Sequence, residues 1–231
     1  MSQPAFAALT PLPFDLIFSD GEPLESDWHV AQMELLKGLI RQVMAESGRR
    51  DFHIGGDNFV YYSLEQAQDV IQGRPYFRGP DVYWVGGVQP RQRQGWVSWE
   101  EGGRLPDVIV ELLSPSTAHI DRNEKMDLYA RVFRTSEYYL CEPRGRKLEG
   151  FRLSGGMYRP MEPDDQGRFW SEQLGVSFGL WHGIREDVIE ADWIRLFHRD
   201  GTLVPTEVEA AKRRADEAEA EVRRLRSLLG E

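Results

Sequence analysis

Pro106-Asp107-Val108-Ile109-Val110-Glu111-Leu112-Leu113-Ser114-Pro115 contains the most apolar run of the chain, and a carboxylate stands inside it. The β-branched and aliphatic residues between the two prolines predict a strand buried on both faces. An unpaired charge in such a strand costs several kcal/mol, so Glu111 is expected to have a function. A second segment repeats the arrangement. Pro80-Asp81 opens Val82-Tyr83-Trp84-Val85 as Pro106-Asp107 opens the Glu111 strand. Two acidic strands of this kind predict a metal site.

Working outward, Phe14 to Phe18 reads as a short strand, followed by a turn over Ser19-Asp20-Gly21-Glu22. A helix is predicted from Ser26 to Met44, with Val30, Met33, Leu36 or Lys37, Ile40 and Val43 at helical spacing. Phe59 to Tyr62 is a further strand, and the polar and aromatic stretch from Gly86 to Leu105 reads as a surface excursion. Asp121-Arg122-Asn123-Glu124 has the form of a capping box, which predicts a helix starting at Asp121 and running to Phe133. Its apolar stripe, Leu128, Tyr129 and Val132, extends back to Lys125 and places a lysine on the inward face. Glu137 to Cys141 and Lys147 to Leu153, joined through Pro143-Arg144-Gly145-Arg146, predict a hairpin, with short strands near Phe169 and Val176-Ser177-Phe178. The order αβββαββ predicts an α/β fold with a mixed β-sheet flanked by helices.

The end of the chain is its most regular part. Val208, Ala211, Ala215, Ala218, Val222, Leu225 and Leu229 alternate spacings of three and four, and Thr206 with Glu209 forms a capping box after Pro205. This is a coiled-coil seam. With Val208 at position a, a parallel dimer would pair Glu207 with Lys212, Arg214 with Glu219, and Glu221 with Arg226, each of opposite charge. A homodimer through this helix is expected, and the alternative is a lone amphipathic helix folded back on the body. The division expected is a main domain over 1–203 and a coiled-coil tail over 204–231.

A net charge of -10 argues against bulk electrostatic binding of nucleic acid, which needs clustered Lys and Arg. Any polyanion would have to be met locally, by Arg91, Arg93 and Arg104 or by Arg144, Arg146 and Lys147, unless these are simply solvated surface. A single cysteine excludes an internal disulfide, and neither a signal peptide nor a membrane span is expected. A cytoplasmic location without membrane contact is expected.

Mg²⁺ or Mn²⁺ takes carboxylate oxygens and keeps several waters, so two carboxylates from neighbouring strands suffice. Asp81 and Glu111 are the expected metal ligands, and Lys125 is the expected third catalytic residue, orienting water or stabilising developing phosphorane charge, the alternative being a lysine that snorkels from a partly buried stripe. Asp107 is a weaker candidate, since four residues of strand set it roughly 13 Å from Glu111. Asp57 is explained equally well by a Gly-Gly-Asp-Asn turn, and His29 reads as a capping or packing residue. No phosphate-binding glycine loop is present, and no histidine pairs with Ser114 or Ser116 in sequence.

Gly79-Pro80-Asp81-Val82, Val110-Glu111-Leu112-Leu113-Ser114-Pro115-Ser116-Thr117, and Glu124-Lys125 through Tyr129 to Glu137-Tyr138-Tyr139 resemble the signature of the putative restriction endonuclease-like family of bacteria. That family is a branch of the PD-(D/E)xK nuclease superfamily, and the resemblance covers about Asp15 to Asp192. It implies a restriction endonuclease-like core, a metal-dependent endonuclease acting on DNA, and metal binding by Asp81 and Glu111. The superfamily lysine belongs two residues after the acid, where this chain has Leu113. The resemblance implies that Lys125 replaces it from the following helix, and that Glu34 corresponds to the optional acid of the first helix. The rival reading is a catalytically inactive interaction protein that keeps the nuclease fold and joins partners through its coiled coil.

Overall fold

Ser26 has the extended backbone of an N-cap, and its hydroxyl accepts the His29 N–H at 3.2 Å to start helix α1, Asp27–Glu46. One side of α1 is buried from Trp28 to Met44 and includes His29 and Gln32. Val30 was expected on that side and is 43% exposed, because it lies more than half a turn from Trp28. The computed structural model describes residues 15–18, 26–73, 79–116, 118–142, 146–185 and 189–229. The turn expected over Ser19 to Glu22 and the Pro143-Arg144-Gly145 stretch lie outside the described residues. Asp15 to Phe18 forms no strand; the backbone of Ile17 instead meets the Tyr61 hydroxyl.

After α1 come β1 (Phe52–Gly55), β2 (Val60–Tyr61), α2 (Leu64–Ile71), β3 (Val82–Gly86), β4 (Trp96–Val97) and β5 (Val108–Leu112). A helical stretch over 118–133 leads to β6 (Glu137–Cys141), β7 (Leu148–Ser154) and β8 (Met157–Pro160). The chain then forms β9 (Phe169–Ser171), β10 (Val176–Arg185), β11 (Ile189–Phe197) and the tail helix Glu207–Leu229. The main sheet has the order β1-β3-β5-β6-β7-β8. β5 and β6 pair in parallel across the helical crossover, and the other neighbours are antiparallel. The fold is thus α/β with a mixed sheet between helices.

Alternation along the central strands decides which layer each side chain joins. Val82, Trp84, Val108, Val110 and Leu112 point to one face and pack on Leu36, Leu39 and Ile40 of α1. Tyr83, Ile109, Tyr138 and Leu140 point to the other and pack on Tyr129 and Phe133. The long β10–β11 hairpin covers the far side of α1, with Trp193 and Leu196 in the same cluster. Buried Gln32 fits there because its amide donates to the Ile194 carbonyl at 3.2 Å and accepts the Ile194 N–H at 2.8 Å.

The stretch from Gly86 to Leu105 is not the surface excursion expected. Val88, Trp96 and Val97 are buried, β4 pairs in parallel with β2, and the Trp96 indole donates to the Arg104 carbonyl at 2.8 Å. Its aromatic area outweighs its polar residues. The tail capping box is formed, with Thr206 N–H to Glu209 Oε2 at 2.7 Å and Glu209 N–H to Thr206 Oγ1 at 3.2 Å. No helix among the described residues is long and apolar enough to cross a membrane.

Candidate active site

Val82 stands opposite Val110 in the β3–β5 ladder, so Asp81, one residue before β3, comes opposite Glu111. The Asp81 N–H reaches Glu111 Oε2 at 3.3 Å, and the Leu112 N–H donates to Asp81 Oδ2 at 2.6 Å. Two backbone groups therefore hold the two carboxylates side by side at the strand ends. The approach demands glycine on both flanks. A Cβ at Gly56 would overlap the Asp81 carbonyl oxygen, and one at Gly79 would overlap that of Asn58.

The helical stretch over 118–133 supplies the third wall. It starts at Ala118, and Asp121–Lys125 and Tyr129–Phe133 are π-helical. Asp121 is therefore no N-cap, and its side chain is buried. Wider π turns, closed by i→i+5 bonds, hold residues four apart on one face, so Asp121, Lys125, Tyr129 and Phe133 point toward the sheet. The same turns carry Val132, expected inward, to 46% exposure. Lys125 Nζ lies 3.0 Å from Glu111 Oε1 and 2.8 Å from Asp121 Oδ1. The Tyr129 hydroxyl donates to Glu111 Oε1 at 2.7 Å. From the opposite face, His29 Nε2 of α1 reaches Asp81 Oδ1 at 3.1 Å.

Glu111 is 1% exposed. Burial pushes its carboxyl up to about 8; Lys125 pulls it down, and the charges of Asp81 and Asp121 push it up again. Burial acts on Asp81 in the same sense but is outweighed by the His29 contact, Lys125 and the Leu112 N–H, so that carboxyl is held below its ordinary range. Burial opposes the charge on Lys125, yet Glu111, Asp121 and Asp81 together raise it above the ordinary lysine value. Lys125 is thus a permanent cation between carboxylates and is unsuited to act as a base. The two neighbouring carboxyls are displaced in opposite directions, Glu111 upward by burial and Asp81 downward by its partners.

Asp81, Glu111 and Lys125 are brought together, and the other candidates are not. Asp107 accepts the Gly86 N–H at 2.8 Å and faces Arg104 at 3.4 Å, which ties the end of β3 to the start of β5. Asp57 has φ 54 in its turn, and its N–H donates to the Pro80 carbonyl at 3.2 Å. Glu34 is exposed and pairs with Lys37, so it takes no part in the site. Arg91 and Arg93 are bound to Glu101, and Lys147 to Glu149. Asp121, Tyr129 and His29 were not read from the sequence as site residues. The four-residue spacing of Asp121, Lys125 and Tyr129 was the available signal for the first two.

Asp81, Glu111 and Asp121 surround one lysine, three carboxyl groups to one cation. Among the described residues no three His, Cys, Asp or Glu side chains are arranged to hold a metal ion. Two carboxylates side by side are the donor set of an ion that completes its shell with water, as Mg²⁺ does.

The site residues lie on a segment that a family's sequence model recognises. The model described as "Uma2: Putative restriction endonuclease" matches residues 6–188. The chain belongs to the Uma2 family. Among solved structures it is similar to a putative nuclease belonging to DUF820 from Anabaena variabilis ATCC 29413. The likeness has 15% identity and a TM-score of 0.41, covering 66% of this chain and 76% of that one. No curated protein matches the chain. Membership in Uma2 assigns this chain to a family of nuclease type, and the site residues fall within the matched segment.

Proposed function

We propose that this Uma2 protein is an endonuclease that hydrolyses phosphodiester bonds in DNA with Mg²⁺ or Mn²⁺. The observation that carries the reading is Lys125. It reaches Glu111 at 3.0 Å from the following helix, although Leu113 occupies the position two residues after the acid. A lysine largely withdrawn from water between two acids adds little net stability as an ion pair, which favours a role in the site. Asp81 and Glu111 would hold the ion. When bound, the ion supplies Lewis-acid activation of the phosphate and a metal-bound water as nucleophile. Lys125 and Tyr129 keep Glu111 aimed at the site, and the lysine charge opposes the negative charge that develops on the phosphorane.

The tail supports a second copy as partner. Ala210 is buried against the body and Glu209 pairs with buried Arg195 at 2.7 Å, so the first turn of the tail is anchored through residues that are not seam positions. Val208, Ala211, Ala215, Ala218, Val222 and Leu225 are left exposed. A parallel pairing of this seam would join a nuclease domain over 1–203 to its twin through the tail over 204–231, and place two active sites in one particle.

Nicking of a supercoiled plasmid tests the chemistry. Cleavage is expected only with Mg²⁺ or Mn²⁺ and is lost in Asp81→Asn and Glu111→Gln, both folded by circular dichroism. Equal nicking by wild type and Glu111→Gln would sink the assignment.

A further inference from the structure

Asp81 is held from two sides. Its Oδ2 takes the Leu112 N–H at 2.6 Å, and its Oδ1 meets His29 Nε2 at 3.1 Å. The sequence offers no reason for the second contact, since His29 reads as a packing residue near the start of a helix. Yet α1 delivers that imidazole, 8% exposed, across the edge of the sheet to the carboxylate on which the metal reading depends. The helix is fixed for the purpose. Ser26 caps it through the His29 N–H, Trp28 packs on Trp193 with ring centroids 6.1 Å apart, and Gln32 grips Ile194 through two hydrogen bonds. His29 therefore sits on a turn tied down on both sides of it.

We infer that His29 is a positioning residue: its Nε2 holds Asp81 Oδ1 so that the carboxylate presents a fixed plane to a divalent cation shared with Glu111. The inference rests on the metal reading above and extends it to a residue that touches neither substrate nor ion. A carboxylate bonded at one oxygen can rotate about its χ angles; an imidazole nitrogen 3.1 Å from the second oxygen, close but not aligned as a hydrogen bond, restricts that rotation before an ion arrives. Loss of such an outer contact characteristically weakens metal affinity about 10- to 100-fold.

The test compares two variants of the full chain. Glutamine can place its amide N–H near the position of imidazole Nε2, whereas leucine fills the volume without a donor. Mn²⁺ binding, measured by calorimetry and by the electron spin resonance signal of free ion, should be about 10- to 100-fold weaker in His29→Leu and within a few-fold of wild type in His29→Gln. A packing role predicts the opposite order, because leucine suits an apolar niche better than glutamine does. Thermal unfolding without metal checks that both variants fold. Equal Mn²⁺ affinity in His29→Leu and wild type overturns the positioning role and leaves the nuclease reading intact. Tight, His29-dependent Mn²⁺ binding without DNA cleavage overturns the nuclease reading and leaves the positioning role intact. No Mn²⁺ binding by the wild type overturns both.

Discussion

Replacing Lys125 by methionine keeps the unbranched stem of the side chain and removes its charge from between Glu111 and Asp121. The lysine contacts both acids at 3.0 and 2.8 Å and its side chain is 13% exposed, so Asp121 loses its buried cation. Breaking a buried pair by removing one partner costs about 3 to 5 kcal/mol. The cost must depend on pH. In the wild type Glu111 titrates at about 8, against an ordinary value of 4.5. The folded chain therefore holds a proton there that the unfolded chain has released, and stability from this group falls as pH rises from 4.5 to 8. Above that the wild-type curve levels off, because Lys125 accommodates the ionised carboxylate. In Lys125→Met the largest influence lowering that carboxyl is gone, so its titration moves higher and the loss continues at about 1.4 kcal/mol per pH unit. Lysine itself stays protonated in both states between pH 6 and 9. Urea unfolding in a chelator at pH 6, 7.5 and 9 should thus show a penalty that is larger at pH 9 than at pH 6 by about 1 to 1.5 kcal/mol. A penalty constant across that range would refute the account of Glu111 as a carboxyl governed by burial and restrained by Lys125.

Reversing the charges of Lys212, Glu219 and Arg226 together sets like charges across every pair of the parallel tail dimer, each normally worth about 0.3 to 0.5 kcal/mol. Sedimentation at low salt should show less dimer, and a variant that sediments like wild type would exclude this seam as the interface. His53 stacks on Trp96 with ring centroids 5.3 Å apart, and burial together with Arg93 depresses its pKa to about 4. Its neutral form is favoured in the fold, so stability should fall as pH drops from 6.5 toward 4, and His53→Phe should flatten that fall. Thermal unfolding of both chains over that range isolates the effect by difference; parallel curves would show that His53 does not titrate as described.

Local pattern was enough for the parts of this protein whose signal is continuous in the chain. Val108 to Leu113 could only be a buried strand, the Ser26 helix and the 137–153 hairpin follow their own periods, and Thr206 with Glu209 caps the tail as its spacing requires. A charge inside an apolar strand likewise drew attention to Glu111, and repetition of the Pro-Asp opening to Asp81, which the fold brings side by side. Periodicity failed where geometry departs from the ideal period. The π turns over Asp121–Lys125 and Tyr129–Phe133 shift the inward face, and made Asp121 look like a cap and Val132 like core. The aromatic stretch around Trp96 was misread because its partner strand at Val60 is distant in sequence. Which groups touch Asp81 and Glu111 was decided by tertiary structure alone. His29, Leu112, Lys125 and Tyr129 reach these acids from two helices and a strand, and the pKa values of the two carboxyls are set by burial and by charges whose distances exist only after folding.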